Sequence, residues 1–337
     1  MDRGPLDGGN LAILRAAQSS SLLHFHRGHL LPPTLQNLPN GLGERRSWAS
    51  FFPPTWRSSA CGRWHTTCFS ETTSSALLGL AIARIVTHAF MKTDWDYTKL
   101  ASHYIKRPDY CPAAIDDLCK LTGSTPGSTA CDIGAGSGHL TKMLLDRGLV
   151  VTAVEPNDAM REVGQGVTAN RGVKWVIGTG EETGLPAHQF HLVTFGSSFN
   201  TTERQKSLVE TKRLLQPQGW FACMWNHRDL NDPLQAAVEN FIKENIRGYG
   251  YGTRREDQTE AINASRLFRE VHYIEASYIA KIAAEDYLDA WRSHGTLERQ
   301  AGASFGSIIA GIEEIVRREE RILNVGYTTR IWAAQIK

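Results

Sequence analysis

The chain of 337 residues has little of several features that mark common functional classes. Its six cysteines form no CxxC pair and show no metal-ligand spacing, so we predict reduced thiols rather than a disulfide framework, and no metal site. The net charge of only +2 argues against a nucleic-acid partner. We therefore expect a cytoplasmic protein, a monomer or homodimer, that works without nucleic acid or membrane.

The first 90 residues lack lysine altogether and hold eight arginines against four acids. They are rich in Ser, Pro, Trp and His and show no sustained helical or strand periodicity. Their apolar run over residues 75–90 is too short for a membrane span. We interpret residues 1–90 as a poorly ordered, dispensable extension before Met91; the alternative is an organelle transit peptide, which such an Arg-rich, acid-poor composition also fits.

The rest of the chain alternates short apolar runs with amphipathic stretches, which indicates an α/β sheet in one domain over residues 91–337. A helical insertion over residues 228–270 interrupts the alternation between the fifth and sixth strands. Two further helices are expected near 284–293 and 304–322. The predicted strands cover residues 129–134, 150–156, 173–179, 190–196, 220–226, 271–280 and 328–336.

A glycine-rich turn follows the first predicted strand, in the stretch CDIGAGSGHL. The glycines are Gly134, Gly136 and Gly138. The dinucleotide pattern GxGxxG fails because His139 stands at its third glycine position. Asp132, at the end of the strand, would repel a pyrophosphate and attract an ammonium group. The turn therefore indicates a ligand with a cationic amino group rather than phosphates.

A second acid, Glu155, ends the next strand, 21 residues after Gly134. An acid at that distance is suited to accept hydrogen bonds from both hydroxyls of an unphosphorylated ribose. Pro156 and Met160 could form an apolar wall for a base, although Met160 at helical spacing is as readily a core residue. Together the two strand ends predict a nucleoside that carries a cationic amino group.

Four motifs in order, CDIGAGSGHLT, AVEPNDAM, GTGEETGLPAHQFHLVTF and RLLQPQGWFACMWN, resemble those of class I S-adenosylmethionine-dependent methyltransferases. The resemblance runs from about residue 95 to the C-terminus. KRPDYCP at 106–112, with Cys111 in place of a proline, and YTTRIWAAQ near the end are similar to a small-molecule branch that includes trans-aconitate methyltransferase-like proteins. The resemblance implies a seven-stranded, doubly wound Rossmann-like sheet with helices on both faces, and S-adenosylmethionine as the cofactor.

The resemblance also implies roles for individual residues. Asp132 and the glycine turn would hold the methionine portion of the cofactor, Glu155 its ribose, and Glu181 or the backbone its adenine. Tyr104 and Arg107 would close over the methionine end. The full cofactor set is Tyr104, Arg107, Asp132, Gly134, Ala135, Gly136, Gly138, Glu155, Pro156, Met160, Gly180, Glu181 and Ser197.

The acceptor should lie beyond the ends of the fourth and fifth strands, because ligands of open α/β sheets bind at the carboxyl ends of the strands. His227 is the first candidate for a catalytic base, since an ordinary histidine pKa of about 6.5 suits proton transfer near neutrality. The alternative is a histidine that fixes the strand-end loop. His294 is the second candidate, and its alternative role is a helix cap. The substrate set is Tyr110, Phe199, Asn200, Trp225, Tyr251 and Arg254.

The block YGYGTRRED, residues 249–257, could form a lid over an anionic or aromatic acceptor. The alternative is a surface loop whose arginines pair with Glu256 and Asp257. We predict methyl transfer to a small molecule at oxygen, nitrogen or a carboxylate. The alternatives are an RNA or protein methyltransferase, or a catalytically silent cofactor-binding partner protein. A core without a basic stripe and without an N/D-PP-Y/F tetrapeptide argues against the macromolecular acceptors.

Overall fold

The computed structural model describes residues 96–337. The extension predicted for residues 1–90 lies outside the described part of the chain. Cys111, Cys119, Cys131 and Cys223 are free thiols. Among the described residues, no helix combines the length and the apolar character needed to cross a membrane.

The described residues form a seven-stranded sheet of order β3-β2-β1-β4-β5-β7-β6. Strand β7 runs antiparallel to both of its neighbours, and the remaining pairs are parallel. The prediction of a seven-stranded α/β sheet is therefore confirmed. The strands are β1 (Thr129–Ile133), β2 (Val150–Val154), β3 (Lys174–Val176), β4 (Phe190–Gly196), β5 (Leu215–Arg228), β6 (Phe268–Ala283) and β7 (Ile322–Ile336).

The helices lie on both faces of this sheet and beyond one end of it. Local signals explain several boundaries: Pro112 starts α2 and Gly123, with φ 67°, ends it, while the Asn157 side chain caps α4. The helices are α1 (Ala101–Tyr104), α2 (Pro112–Thr122), α3 (His139–Asp146), α4 (Asp158–Val167), α5 (Arg204–Leu214), α6 (Pro233–Asn245), α7 (Thr259–Ala264), α8 (Ala284–Arg292), α9 (Gly295–Ala301) and α10 (Phe305–Val316).

Alternating side chains of the strands build two cores, one on each face of the sheet. On β5, Phe221 and Trp225 belong to the core that packs against α5. Ala222 and Met224 belong to the opposite core, which packs against α2 and α3. The result is a three-layer arrangement in which both faces of the central strands are buried.

A third hydrophobic cluster joins the far ends of β6 and β7 to α6, α8, α9 and α10. Val238, Trp291, Ile312 and Val325 are among its buried members. Tyr327 of β7, also in this cluster, pairs with Arg228 at the end of β5. The cluster therefore places a helical layer beyond the carboxyl end of β5.

The structure corrects several predicted boundaries. The sequence 216–219 predicts a break before the fifth strand, but β5 already begins at Leu215. Gln218 adopts a left-handed φ of 66°, and the pairing with β4 shifts between Phe190 and Leu192. The break is therefore a bulge within the strand.

The last two strands and the helices around them also differ from prediction. Strands β6 and β7 extend beyond the predicted 271–280 and 328–336, because their ends pair as a two-stranded ribbon and pack on the third cluster. Helix α10 ends at Val316 rather than 322, since β7 begins at Ile322. The short helix α9 is an addition that the sequence pattern did not reveal.

Candidate functional site

The order of the sheet reverses between β1 and β4, and the glycine turn lies at this switch point. Gly134 has φ 66°, and a Cβ added to it would lie 2.5 Å from the Cβ of Ser198. The Ser198 hydroxyl donates to the carbonyl oxygen of Ile133 at 2.6 Å. Only glycine fits here, because the turn is left-handed and packs directly on the end of β4.

Asp132 is fully buried at the end of β1. Its carboxylate accepts hydrogen bonds from the hydroxyls of Thr141 at 2.7 Å and Thr194 at 3.1 Å. Burial raises the pKa of Asp132 to about 6, although these hydrogen bonds oppose the shift. No basic side chain of the described residues forms an ion pair with it within 4.0 Å, so its negative charge is uncompensated in the protein.

Glu155 follows β2 and is also buried. One carboxylate oxygen accepts from the backbone N–H of Gly136 at 2.8 Å and the other from that of Asn157 at 2.9 Å. Burial raises the pKa of Glu155 to about 7. The side chain therefore ties the glycine turn to the end of β2 and holds a second acid at the edge of the sheet.

The two acids line two adjoining lobes that share part of their lining. We call the first the acidic lobe; its lining includes Glu155, Pro156, Met160, Gly180 and Glu181. We call the second the arginine lobe; its lining includes Asp132, Arg107, His227, Arg228, Arg254, Arg255, Trp291 and His294. Gly134, Gly136, Ser197, Asn200 and Tyr104 line both lobes.

The acidic lobe is narrow where Gly136 meets Met160: a Cβ added at Gly136 would lie 3.0 Å from the Met160 Cε. Gly180 packs as closely, since an added Cβ would lie 2.7 Å from Thr202. One carboxylate oxygen of Glu181 accepts from the backbone N–H of Glu203 at 2.6 Å. The walls of this lobe are therefore closely packed main chain and small side chains.

The segment KRPDYCP covers the arginine lobe from the N-terminal side. The Arg107 guanidinium lies 4.0 Å from the ring centre of Tyr104 and donates to the hydroxyl and carbonyl oxygens of Ser293 at 2.8 and 2.7 Å. The Tyr110 hydroxyl lies 2.9 Å from that of Ser197. Residues far apart in the chain thus meet over the glycine turn.

Aromatic rings support the other guanidinium groups of the arginine lobe. Arg228 lies 3.7 Å above the ring of Trp291, and Arg255 lies 3.7 Å above the ring of Tyr251. Arg254 lies 5.3 Å from the same Tyr251 ring. Burial, together with Arg228 and Arg107, lowers the pKa of Arg254 to about 10, so it stays charged near neutrality.

His227 is 6% exposed, and its Nε2 atom is buried without a hydrogen-bond partner among the described residues. Burial and the nearby charges of Arg255, Arg330 and Arg254 lower its pKa to about 3. The ring is therefore neutral near pH 7 and is a far weaker base than the ordinary pKa of about 6.5 implies.

His294 has a structural partner that the sequence pattern only partly predicted. Its Nδ1 accepts the backbone N–H of Leu297 at 3.1 Å, so it caps α9, the helix that follows it, rather than the preceding helix. Burial lowers its pKa well below the ordinary value. Because Nδ1 accepts, a neutral ring carries its proton on Nε2 and has no lone pair left to act as a base.

Three residues predicted for the site lie outside the cavity lining. Gly138 precedes α3 and belongs to the turn beneath the cavity. Phe199 is fully buried in the core with Phe195 and Phe221, because the turn after β4 points it inward. Tyr251 lies behind the lining, where it supports the arginines.

The remaining predicted cofactor residues and Tyr110, Asn200, Trp225, Arg254, His227 and His294 all line one lobe or both. The predicted site sets omit Arg228, Arg255 and Trp291, which line the arginine lobe, although Arg228 was expected beside the acceptor and Arg255 in the lid over residues 249–257. Arg228 directly follows His227 at the end of β5, and this position at a strand end could have identified it as a site residue. Trp291 lies on α8, and no sequence feature indicated that its side chain faces the cavity.

The loop around Arg254 and Arg255 contributes to the lining rather than forming a separate surface loop. Asp257 accepts hydrogen bonds from the Thr259 backbone and the Trp332 indole, and no ion pair joins it or Glu256 to the two arginines within 4.0 Å in the described part of the chain. The alternative of a self-paired surface loop is therefore wrong.

Comparison with known proteins agrees with this architecture. Residues 131–223 match the sequence profile of the family described as "Methyltransferase domain". Over these residues the chain is similar to methyltransferases. An uncharacterized methyltransferase of Mycobacterium tuberculosis is 32% identical over 123 residues, which are 36% of this chain and 48% of that protein. The chain thus spans about half the length of the first curated relatives that it matches.

A second relative of this chain is the ubiquinone/menaquinone biosynthesis C-methyltransferase UbiE of Hydrogenovibrio crunogenus. It is 32% identical over 164 residues, which are 44% of this chain and 64% of that protein. Among solved structures, a candidate type II methyltransferase from Anaeromyxobacter dehalogenans aligns with a TM-score of 0.50 and 21% identity. That alignment covers 68% of this chain and 97% of the other, and it concerns the fold alone.

Proposed function

We propose that this methyltransferase transfers a methyl group from S-adenosylmethionine to a small-molecule acceptor held in the arginine lobe. The observation that carries the proposal is the pair of buried carboxylates without ion-pair partners, Asp132 and Glu155, on two adjoining lobes that share part of their lining. The relative UbiE, whose name places it in ubiquinone and menaquinone biosynthesis, supports a small molecule as the class of acceptor.

The described residues fit the proposed cofactor. Asp132 has only hydroxyl partners, and Glu155 only backbone N–H partners, so neither carboxylate forms an ion pair, although Arg161 lies close enough to Glu155 to donate to its backbone carbonyl. An ammonium group near Asp132 would supply the missing positive charge. Glu155 keeps lone pairs for ribose hydroxyls, because each of its oxygens accepts only one bond from the protein.

The other cofactor contacts follow from the shape of the acidic lobe. Pro156 and Met160 offer an apolar wall for an adenine ring, and Gly180 leaves the main chain open to its edge. Arg107 and Tyr104, at the boundary of the two lobes, would close over the amino-acid end. Ser197, with φ 61°, presents its backbone and hydroxyl at the same boundary.

When bound, S-adenosylmethionine supplies a methyl group already activated by its positively charged sulfur. The protein's part is then to align the acceptor and to exclude water. The rings of Tyr97, Trp225 and Tyr287 around the arginine lobe limit the access of water. The buried Nε2 atom of His227 has no partner among the described residues and belongs to the lining of the arginine lobe, so it can bind the acceptor or take up a proton that the acceptor loses.

Calorimetric titration of the full chain with S-adenosylmethionine, S-adenosylhomocysteine and NAD tests the cofactor. S-adenosylmethionine and S-adenosylhomocysteine are expected to bind, and NAD is not. Glu155→Gln should weaken S-adenosylhomocysteine binding roughly ten-fold or more, because charge-assisted hydrogen bonds are lost. The matched control is Glu162→Gln, an exposed acid on α4 that does not line the cavity. Absence of heat with both ligands would refute the proposal.

A screen of metabolite extracts with an isotopically labelled methyl donor, read by mass spectrometry, tests the reaction itself. A labelled small-molecule product that requires the protein is the expected result. Label recovered only in protein or RNA would favour a macromolecular acceptor, and cofactor binding without any labelled product would favour a silent binding protein.

A further inference from the structure

We infer that the acceptor carries an anionic group, a carboxylate or a phosphate, and that Arg228, Arg254 and Arg255 bind it in the arginine lobe. The term acceptor rests on the proposed function, whereas the anion site rests on the arginines themselves. Three observations support it: unpaired charge, a fixed geometry of the guanidinium groups, and donors that face each other without an acceptor between them.

The positive charge of these arginines has no counterpart in the described residues. None of the three forms an ion pair with Asp or Glu within 4.0 Å in residues 96–337, whereas Arg147 and Arg330 do so at 2.6 and 2.7 Å. The Nε atoms of Arg254 and Arg255 are buried and have no hydrogen-bond partner there. The three side chains are half-buried, and half-buried cations without a partner acid favour an anion in the cavity.

The nearest acids do not supply that anion. Glu239 accepts from the Tyr251 hydroxyl behind the lining and pairs with Lys243 at 3.2 Å. Asp132 lies on the glycine-turn side of the cavity, bonded to Thr141 and Thr194. The charge of the arginine lobe itself therefore stays positive.

Stacking fixes the guanidinium groups before any ligand arrives. The guanidinium carbons of Arg228 and Arg255 lie 3.7 Å from the ring centres of Trp291 and Tyr251, so these aromatic contacts restrict both side chains. A planar fork of donors is suited to the paired oxygens of a carboxylate or phosphate. Little side-chain entropy is lost when such groups bind, because their rotamers are already restricted.

Two donors also face each other in the lobe. His294 Nε2 and Arg228 Nη2 are 3.2 Å apart. Because the bond from Leu297 occupies His294 Nδ1, a neutral ring places N–H on Nε2, and the Arg228 group is a donor as well. One oxygen of an anion could accept from both, which would relieve this donor–donor contact.

The carboxylate of the proposed cofactor has a separate candidate partner. S-adenosylmethionine has one carboxylate, and its sulfonium and ammonium groups leave it with an excess of positive charge. Arg107, held over Tyr104 beside the glycine turn, suffices for that carboxylate. Bound cofactor would therefore leave the net charge of the arginine lobe positive.

The anion would also change His227. Its pKa of about 3 is caused by burial and then by Arg255, Arg330 and Arg254. An anion bound between these groups would offset their repulsion and raise the pKa of His227 toward neutrality. The binding of the acceptor itself would thereby make His227 a stronger base, and the histidine gives a direct spectroscopic signal of binding.

Calorimetry on the full chain at low salt tests the inference with three probes: succinate, inorganic phosphate and the neutral analogue succinamide. We expect one or both anions to bind, their relative affinities to separate carboxylate from phosphate, and succinamide to bind at least roughly ten-fold more weakly. Arg254→Gln and Arg255→Gln should each weaken anion binding roughly ten-fold, and Arg254→Lys less. Arg317→Gln, at a paired and exposed arginine on α10, should have no effect.

A second measurement needs no substitution in the lobe. NMR titration of the His227 ring, assigned with His227→Gln, should show its pKa rise by one unit or more on addition of the tighter anion. Equal binding of succinamide and the anions, unchanged affinity in both glutamine variants, or an unmoved His227 pKa would overturn the inference.

S-adenosylhomocysteine binding, measured on the same preparation, separates the two proposals. Intact binding of this ligand without any preference for anions would overturn the anion site alone. Anion binding that persists when S-adenosylhomocysteine fails to bind would support the site and overturn the proposed function.

Discussion

The fold holds the carboxyl groups of Asp132 and Glu155 in surroundings that favour their neutral forms. Their pKa values, raised by burial to about 6 and about 7, exceed the ordinary values of 3.8 and 4.5. Each group therefore stabilises the folded state fully only below its unfolded pKa, and this contribution is lost as pH rises through 6 to 7. At pH 8 each charged carboxylate costs about 3 kcal/mol relative to low pH.

Asp132→Asn should therefore increase stability at pH 8 and weaken cofactor binding. Urea unfolding at pH 5 and pH 8 should show a gain that is larger at pH 8, because the buried charge is absent in the variant. Titration with S-adenosylhomocysteine should show roughly ten-fold weaker binding or more, since the attraction for the ammonium group is lost. The same residue would then limit stability and enable function.

Glu210→Gln is the matched control for that substitution. Burial acts to raise the pKa of Glu210, but hydrogen bonds from Arg213 and Thr183 hold it below its ordinary value, and the residue does not line the cavity. The variant should lose stability at pH 8 and keep its cofactor affinity. An Asp132→Asn protein that is less stable at pH 8, or that binds the cofactor unchanged, would contradict the interpretation.

Site residues that belong to one local sequence motif could be predicted. Site residues that come together from distant parts of the chain could not. The positions of Asp132 and Glu155 at adjacent strand ends follow from the alternating pattern alone. The arginine lobe could not be predicted as a whole, because Arg228, Trp291 and Arg254 come from separate elements. Phe199 was wrongly predicted as a substrate residue. It follows a strand end, as the site residues do, but its side chain turns into the core.

At the scale of elements, the segment KRPDYCP connects the glycine turn to the helical layer. Its Asp109 carbonyl accepts from Asn226 on β5 at 3.0 Å, and the backbone N–H of Cys111 donates to Thr329 on β7 at 2.7 Å. Arg107 joins the same segment to Ser293 at the end of α8. The segment is therefore positioned by the sheet and by the third cluster together.

Arg107→Lys should loosen this cover. Lysine keeps the charge but cannot form the two-pronged bond to Ser293 while stacking on Tyr104. Hydrogen–deuterium exchange should become faster over residues 97–110, and cofactor dissociation should be faster as well.

The neighbouring residue provides the control for Arg107. Lys106 pairs with Asp286 at 2.8 Å, but both side chains are exposed, so Lys106→Gln should leave exchange over residues 97–110 and cofactor dissociation unchanged. Equal exchange in the Arg107→Lys and wild-type proteins would show that other contacts hold the segment.

Element centres were predicted better than element ends, for a physical reason. β-branched and aromatic residues mark the middle of β6 and β7, where the two strands belong to the main sheet. The ends of the same strands depend on contacts with α8 and α10, which no local pattern encodes. The start of β5 was wrongly predicted for a similar reason. Turn residues around Gln218 interrupt the pairing with β4 without ending the strand.

At the scale of the whole molecule, the described residues that line both lobes lie between Tyr97 and Tyr327. They come from both faces of the sheet edge and from the helical layer of the third cluster. We therefore propose that residues 91–337 form one functional domain and that residues 1–90 are dispensable for it.

A chain that starts at Met91 should fold, bind S-adenosylhomocysteine with unchanged affinity and give the same labelled products as the full chain. The reason is that the two cores, the third cluster and the cavity are all built from residues after Met91. Thermal unfolding measures the stability of the two chains, and calorimetric titration measures their affinity for S-adenosylhomocysteine. A chain that starts at Ala114 is the control: it removes Arg107, Tyr110 and the start of α2 and should lose binding. Loss of solubility or binding on removal of residues 1–90 alone would show that the extension contributes to the fold or to the site.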